Sequence, residues 1–261
     1  MIYGIPSLIE FRTAEQHLRF CAEHGFSFFE MNLSFPWFQS DKIDADSLVR
    51  LGKEYNVGYT LHLHDQLNPF DFSPEIREGA LKSVDYALLL ARKTGAKRLT
   101  LHLQYGMYSA VAGKKIYAYE VCSDEYLENV DRMARMCSSR LACTDTYFCI
   151  ENTKGFTPYH KKAVERMLSY KEFGLTFDVG HNFKASEDDE DFILSHRDRI
   201  RHFHIHDVTE KSNHVAFGTG ILNVSDYLRL ARSINDAPVV MEVKESGALL
   251  QSMEYCRRSG F

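Results

Sequence analysis

Hydrophobic and polar positions along the chain fall into two alternating patterns. Short runs rich in β-branched and aromatic residues recur at Ile2–Pro6, Phe26–Asn32, Gly58–His64, Arg98–Leu103, Tyr147–Glu151, Gly174–Val179, Ile200–His206 and Pro238–Val243. Runs of this length and composition predict strands. Between them apolar residues return every three or four positions, which predicts helices over Thr13–Glu23, Ala45–Tyr55, Pro74–Thr94, Asp124–Ser139, His160–Ser169, Asp188–Arg197, Val224–Ile234 and Glu245–Arg257. In the third helix Ser73 stands at the cap and Pro74 in the first turn. Leu81, Val84, Leu88 and Ala91 share one face, and Gly95 supplies the stop. Val130, Met133, Ala134 and Cys137 form the corresponding stripe of the fourth.

Strands that alternate with helices predict a parallel sheet, and eight of each fit a closed (β/α)8 TIM barrel better than an open doubly wound sheet. No Gly-x-Gly-x-x-Gly follows the first strand, which argues against a dinucleotide fold. No linker or compositional shift divides the chain, so residues 1–261 are expected to form one domain. The one long excursion, Gln104 to Ser123, carries Tyr105, Tyr108, Lys114, Lys115, Tyr117 and Tyr119. Following a strand, it lies on the catalytic face of such a barrel and is a candidate lid or substrate wall. The segment Phe35–Lys42, with Trp37, is a second candidate wall.

Charge narrows the partners. With 31 Lys and Arg against 36 Asp and Glu the net charge is −5, so no general attraction to nucleic acid or anionic membranes is expected. The start lacks a basic segment followed by an apolar one, and the aliphatic run around Tyr86–Ala91 is too short to span a bilayer. The six cysteines include no Cys-x-x-Cys pair and read mainly as buried apolar groups in a reducing cytoplasm; Cys149 lies in a strand near the candidate site, where a reactive role is the lesser of two readings.

Groups that bind metals or move protons gather at the C-terminal ends of the strands. His62 and His64 close the third, with Asp65 after them; His102 closes the fourth and Glu151 the fifth. Asp178 and His181 follow the sixth, His204, His206 and Asp207 the seventh, and Glu242 the eighth. Strand alternation requires Phe177 and Asp178 to point opposite ways, as must Ile150 and Glu151, Phe203 and His204, and Met241 and Glu242. The polar member of each pair then faces the barrel axis. Converging carboxylates and imidazoles repel and lose hydration unless a cation joins them, so a divalent metal is the natural resolution. Glu151, Asp178, His204 and Glu242 carry this argument. His62, deeper in its strand than His64, reads as a hydrogen-bonded core histidine, and His202 and His206 as supporting groups. His17, His24, His160 and His196 lie on helices or turns, and Glu30 either lines the pocket or makes a local salt bridge.

In this order between Gly58 and Lys244, the motifs HLHDQLN, LTLHLQ, IENT, FDVGH, FHIHD, HVAFGTG and VVMEVK resemble the xylose-isomerase-like superfamily of TIM barrels. That superfamily includes sugar isomerases and epimerases, inosose dehydratase relatives and the endonuclease IV branch. The resemblance implies a divalent ion (Mn, Co, Zn or Mg) on Glu151, Asp178, His204 and Glu242. It also implies that His64, His102, His181 and His214 line the same pocket as substrate-binding groups. In the endonuclease branch the matching positions build a three-metal site, so a second ion near His64 and His102 is one expectation. A third ion there uses His181, His214 and an Asp two residues before it, where this chain has Ser212. The missing ligand, the acidic balance and the lack of an Arg-rich loop turn the reading away from nucleic acid.

The expected activity is therefore isomerisation or epimerisation of a sugar, sugar phosphate or polyol through an enediolate. Glu151 and Glu242 are the expected acid and base, and Lys211 a contact to a hydroxyl or phosphate. Metal-assisted dehydration of a keto-polyol and endonuclease-like cleavage of phosphodiesters are the alternatives; a metal-binding sugar sensor is a third. No membrane partner is expected, and a homo-oligomer is compatible with the pattern.

Overall fold

The computed structural model describes residues 1–185, 189–234 and 237–261. Parallel pairing runs around a ring of β1 (Tyr3–Ile5), β2 (Phe28–Asn32), β3 (Gly58–His62), β4 (Arg98–His102), β7 (Tyr147–Glu151), β8 (Phe173–Asp178), β9 (Ile200–Ile205) and β10 (Val239–Met241). β1 pairs with both β2 and β10, which closes the barrel. The expected TIM barrel is the fold observed.

Register sets the site. β4 and β7 pair with His102 opposite Glu151, and β8 and β9 with Asp178 opposite His204. The Glu242 N–H bonds the Ile205 carbonyl at 2.8 Å, which extends the ladder one step past β10 to the same level. The alternation expected from the sequence holds: the Phe177 ring packs edge-on against Tyr227 of a surface helix, while Asp178 is fully buried inside.

The outer layer comprises α1 (Ala14–His24), α2 (Ala45–Tyr55), α3 (Pro74–Thr94), α5 (Ser123–Leu141), α6 (Pro158–Leu168), α8 (Glu190–Ser195), α9 (Val224–Ser233) and α10 (Ser246–Arg258). The helix expected from Asp188 begins at a residue outside those described. Ser73 stands at the cap of α3, but its hydroxyl donates to Glu75 instead of capping. The Gln104–Ser123 excursion contains an antiparallel hairpin, β5 (Tyr108–Val111) with β6 (Lys114–Tyr117), then the short α4 (Ala118–Val121). Another short helix, α7 (Val179–Lys184), starts directly where β8 ends. Among the described residues no helix is long and apolar enough to cross a membrane.

One buried carboxylate organises the loop after β9. Asp207 accepts from the N–H groups of Val208, Gly218, Gly220 and Leu222, at 2.8 to 3.1 Å. Gly220 approaches so closely that a Cβ would lie 2.4 Å from Asp207 Oδ1, and Gly218 has a φ of 77°.

Candidate metal centre

Donor atoms from Glu151, Asp178, His204 and Glu242 all lie within 4.8 Å of one another, and all four residues are buried. Four separate strand ends supply them, so the barrel itself fixes their spacing. His204 Nδ1 is 2.9 Å from Glu151 Oε1 and 3.6 Å from Glu242 Oε2. Asp178 has two tasks. Its Oδ1 caps α7 by accepting from the His181 N–H at 2.7 Å. Its Oδ2 is buried without a hydrogen-bond partner although His181 Nδ1 lies 3.0 Å away, and that nitrogen is equally unpartnered. Two atoms this close but turned off the hydrogen-bond line are placed for a common third partner. Glu242 Oε2 is orphaned too, while its Oε1 accepts from Lys244 Nζ at 2.7 Å. Oxygen donors with one imidazole suit a divalent cation of the Mn, Co, Zn or Mg class, so these residues fit a metal ion.

Histidines surround the cluster. His62 Nε2, His102 Nε2 and Glu151 Oε2 form a triangle with sides of 3.1, 3.2 and 2.9 Å. This corrects the sequence reading: His62 faces Glu151, and His64 does not. β3 ends at His62 and the chain turns away after Leu63, which leaves His64 exposed with its Nδ1 accepting from the Gln66 N–H. An ion beside His102 would therefore involve His62 and Asp65, the group whose donor atoms cluster there. His181 and His214 meet edge-on at 5.2 Å, and His206 lies 4.0 Å from His214, so His181, His206 and His214 form a further cluster. Gly180 makes room for it, since a Cβ there would strike the His206 ring at 2.1 Å. Lys211 stands in the exposed 209–213 turn and does not line the cavity; Lys154, Lys184 and Lys244 do. Trp37 packs against Phe35 and Arg12 rather than forming a cavity wall.

Glu30 is the residue whose part the sequence left open. It is 2% exposed at the centre of β2, with Oε1 3.1 Å from His204 Nε2 and Oε2 3.1 Å from His202 Nε2. Thr60 Oγ1 also donates to Oε2, at 3.0 Å. Glu30 thus sits behind His204, on the side away from the ligand cluster.

Burial opposes every charge here, and the outcome depends on neighbours. Around Glu151 the His204 and His102 imidazoles overcome burial and hold the carboxyl well below the usual range. Asp178 is held down against burial by His181 and His206, and Glu242 by Lys244 and His214. His62 and His181 rise to about 9 despite burial, through Glu151 and Asp178 respectively. Burial prevails at His202 and His214, which fall to about 4. Without a cation the cluster therefore holds ionised carboxylates against protonated imidazoles, and a metal would take the place of those protons.

A cavity of about 590 Å³ opens above the cluster. His62, His102, His181, His214 and Glu242 border it, with Tyr105 at the root of the hairpin excursion. Glu151, 1% exposed, lies behind His102 and does not border the cavity. Fold and site together define a (β/α)8 barrel with a carboxylate-rich candidate metal centre at its C-terminal mouth.

The sequence profile of the xylose isomerase-like TIM barrel family matches residues 18–259, and the chain belongs to that family. An uncharacterized protein of Methanocaldococcus jannaschii is 25% identical over 207 residues, covering 74% of this chain and 70% of the relative. Among solved structures, a D-tagatose 3-epimerase-like protein aligns with a TM-score of 0.78 at 20% identity, covering 99% of this chain and 97% of its own. The IOLI protein with a bound zinc atom aligns with a TM-score of 0.72 at 13% identity, covering 99% of this chain and 98% of its own.

Proposed function

We propose that this protein is a divalent-metal-dependent isomerase or epimerase of a sugar, sugar phosphate or polyol derivative. The observation that carries the reading is the pair of orphaned carboxylate oxygens, Asp178 Oδ2 and Glu242 Oε2, beside Glu151 and His204. Membership of a family with a sugar epimerase-like fold neighbour, and another that holds zinc, supports it. Glu151, Asp178, His204 and Glu242 would hold the ion. When bound, it would polarise adjacent carbonyl and hydroxyl oxygens and lower the energy of an enediolate.

The chain's own groups do the proton chemistry. Glu242 borders the cavity and serves as the base at the carbon next to the carbonyl. Glu151 reaches the cavity only through His102, whose Nε2 is 2.9 Å from its Oε2, so the acid is the Glu151–His102 pair. His181 and His214 hold substrate oxygens. Lys244 beside Glu242 keeps that base ionised.

Incubation with a panel of ketoses, polyols and their phosphates in deuterated water plus divalent metal tests this. We expect deuterium at the carbon next to the carbonyl, and Glu242→Gln to slow its uptake on the order of 10²–10⁴-fold. Absence of exchange across the panel would sink the reading.

The additional groups His62–Asp65–His102 and His181–His206–His214 favour a second reading, a multi-metal phosphodiesterase. It requires more than one tightly held ion per chain, which elemental analysis after dialysis counts. Dehydration of a keto-polyol would use the same base and is distinguished by a product lighter than its substrate by the mass of one water.

A further inference from the structure

At the end of the barrel away from the metal centre, two arginines reach across the mouth to one tyrosine. Arg98 opens β4, which His102 closes at the metal end, and Tyr147 opens β7. The Arg98 guanidinium carbon lies 5.1 Å from the centre of the Tyr147 ring, and that of Arg201 lies 4.8 Å from it. Arg98 Nε also donates to the Arg201 carbonyl of β9 at 2.8 Å, a contact that passes beneath β7 and β8.

Two irregularities in the sheet build this arrangement. Leu175 of β8 pairs with Ile200 of β9 and Thr176 with His202, so Arg201 is an extra residue in β9. Such a bulge re-aims a side chain that regular alternation would point at the helices. Gly174 then gives it passage. It has the parity of Thr176, whose hydroxyl meets that of Thr100 across the barrel interior at 3.1 Å. A Cβ on Gly174 would lie 2.6 Å from Arg201 Cγ.

The result is a concentration of positive charge. Arg98 and Arg201 are half-buried, and among the described residues neither forms an ion pair with a carboxylate. Lys97 engages Asp145, and Arg201 Nη1 is bonded to the Asp198 carbonyl rather than to its carboxylate. The Arg199 guanidinium donates to the carbonyls of Leu168, Tyr170 and Phe173, and burial together with the Arg201 charge lowers its pKa. Nη2 of Arg98, and both Nε and Nη2 of Arg201, have no hydrogen-bond partner among the described residues. None of these N–H groups is sealed from solvent. Filling the mouth requires only bulk. Two cations on one ring repel and lose hydration, a cost that a shared anion removes.

We propose that this mouth binds a phosphate-class oxyanion, free phosphate or a phosphate monoester, through the open N–H groups of Arg98 and Arg201. Forked guanidinium donors match phosphate oxygens in number and direction, and the Tyr147 ring holds both forks in place. The site is separate from the reaction proposed above and does not depend on it.

Arginine side-chain Nε–H spectra of the nitrogen-15-labelled protein test this, because the metal-facing cavity has no arginine in its wall. Sodium phosphate should shift the Arg98 and Arg201 signals along a saturable curve, and sodium chloride at equal ionic strength should not. Each signal is assigned by its loss in Arg98→Gln or Arg201→Met. In Arg201→Met, whose stem still lies over Gly174 and Tyr147, phosphate affinity read from Arg98 should fall about tenfold or more. Arg98→Gln, whose amide can still donate to the Arg201 carbonyl, should weaken binding likewise on the Arg201 signal, so either variant alone decides the matter. A chloride response equal to that of phosphate, a shift that does not saturate, or unchanged affinity in either folded variant overturns the site. Glycerol 2-phosphate titrated beside orthophosphate separates the two sources, since the tighter binder identifies the ligand as ester or free ion.

Discussion

Glu30 stands behind the single imidazole of the ligand cluster, 3.1 Å from His204 Nε2, while Nδ1 is hydrogen-bonded to Glu151 Oε1 at 2.9 Å. A cation that took the place of the Nδ1 proton would leave the remaining N–H at Nε2, facing Glu30. A carboxylate that orients a metal-binding histidine in this way is typically worth about 10–100-fold in metal affinity. Glu30→Gln should therefore weaken metal binding by about that factor while leaving the far-ultraviolet circular dichroism unchanged; unaltered affinity in a metal titration would refute the assignment. The four cluster residues were legible in the sequence for a simple reason. Period-two alternation assigns each side chain a face, and the polar ending of an apolar run assigns it a depth. His62 and His64 share the same parity, so alternation cannot separate them. What separates them is where β3 stops, and the stop is set by the Leu33 and Leu63 ladder bonds, which no local pattern records.

At the level of elements, the loop after β9 depends on one side chain. Asp207 satisfies four backbone N–H groups, and removing the acceptor leaves one buried and three part-buried donors without a partner, a loss of up to about 1–3 kcal/mol each before water recovers part of it. Asp207→Ala should lower stability by about 2–4 kcal/mol in urea unfolding, whereas a control at the exposed Glu23, Glu23→Ala, should stay within about 0.5 kcal/mol. In the sequence Asp207 was one acid among several at a strand end, and nothing local marked it as a loop organiser rather than a ligand. The β5–β6 hairpin escaped for a different reason. Its turn places Ala112 and Gly113 at φ of 48° and 79°, a geometry that Asn-Gly or Asp-Gly would have announced. An alanine in that position gives no warning. The main helices, by contrast, declare themselves through stop signals such as Gly25 and Gly95, both in the left-handed region.

For the whole molecule, two histidines away from the metal centre, His17 and His160, add to His202 and His214 in lowering stability towards acid. His17 accepts from the Leu8 N–H through Nε2 and gives its Nδ1 proton to the Thr13 carbonyl, so protonation would break the first bond. Burial holds both His17 and His160 at about 4, below the 6.5 of the unfolded chain. A depressed histidine contributes stability that is complete above pH 6.5 and is lost as the pH falls towards 4. The urea midpoint should therefore drop between pH 7 and pH 5, and His17→Gln should flatten that slope. A midpoint independent of pH over this interval would contradict the account.

The ring of strands has a consequence for the chain as a thread. Since β1 is bonded to β10, with the Val239 N–H on the Ile2 carbonyl at 2.9 Å, the barrel treats its first and last strands as neighbours like any others. β1 begins at the end of the barrel where the returning α10 finishes, and the β5–β6 turn projects outside the ring. A gene cut between Ala112 and Gly113, with the old ends rejoined by a short glycine–serine bridge, should encode a protein that folds with the parent's circular dichroism and urea midpoint. What this sequence specifies is then a cyclic order of strands, and the place at which reading starts is incidental to the site at its mouth.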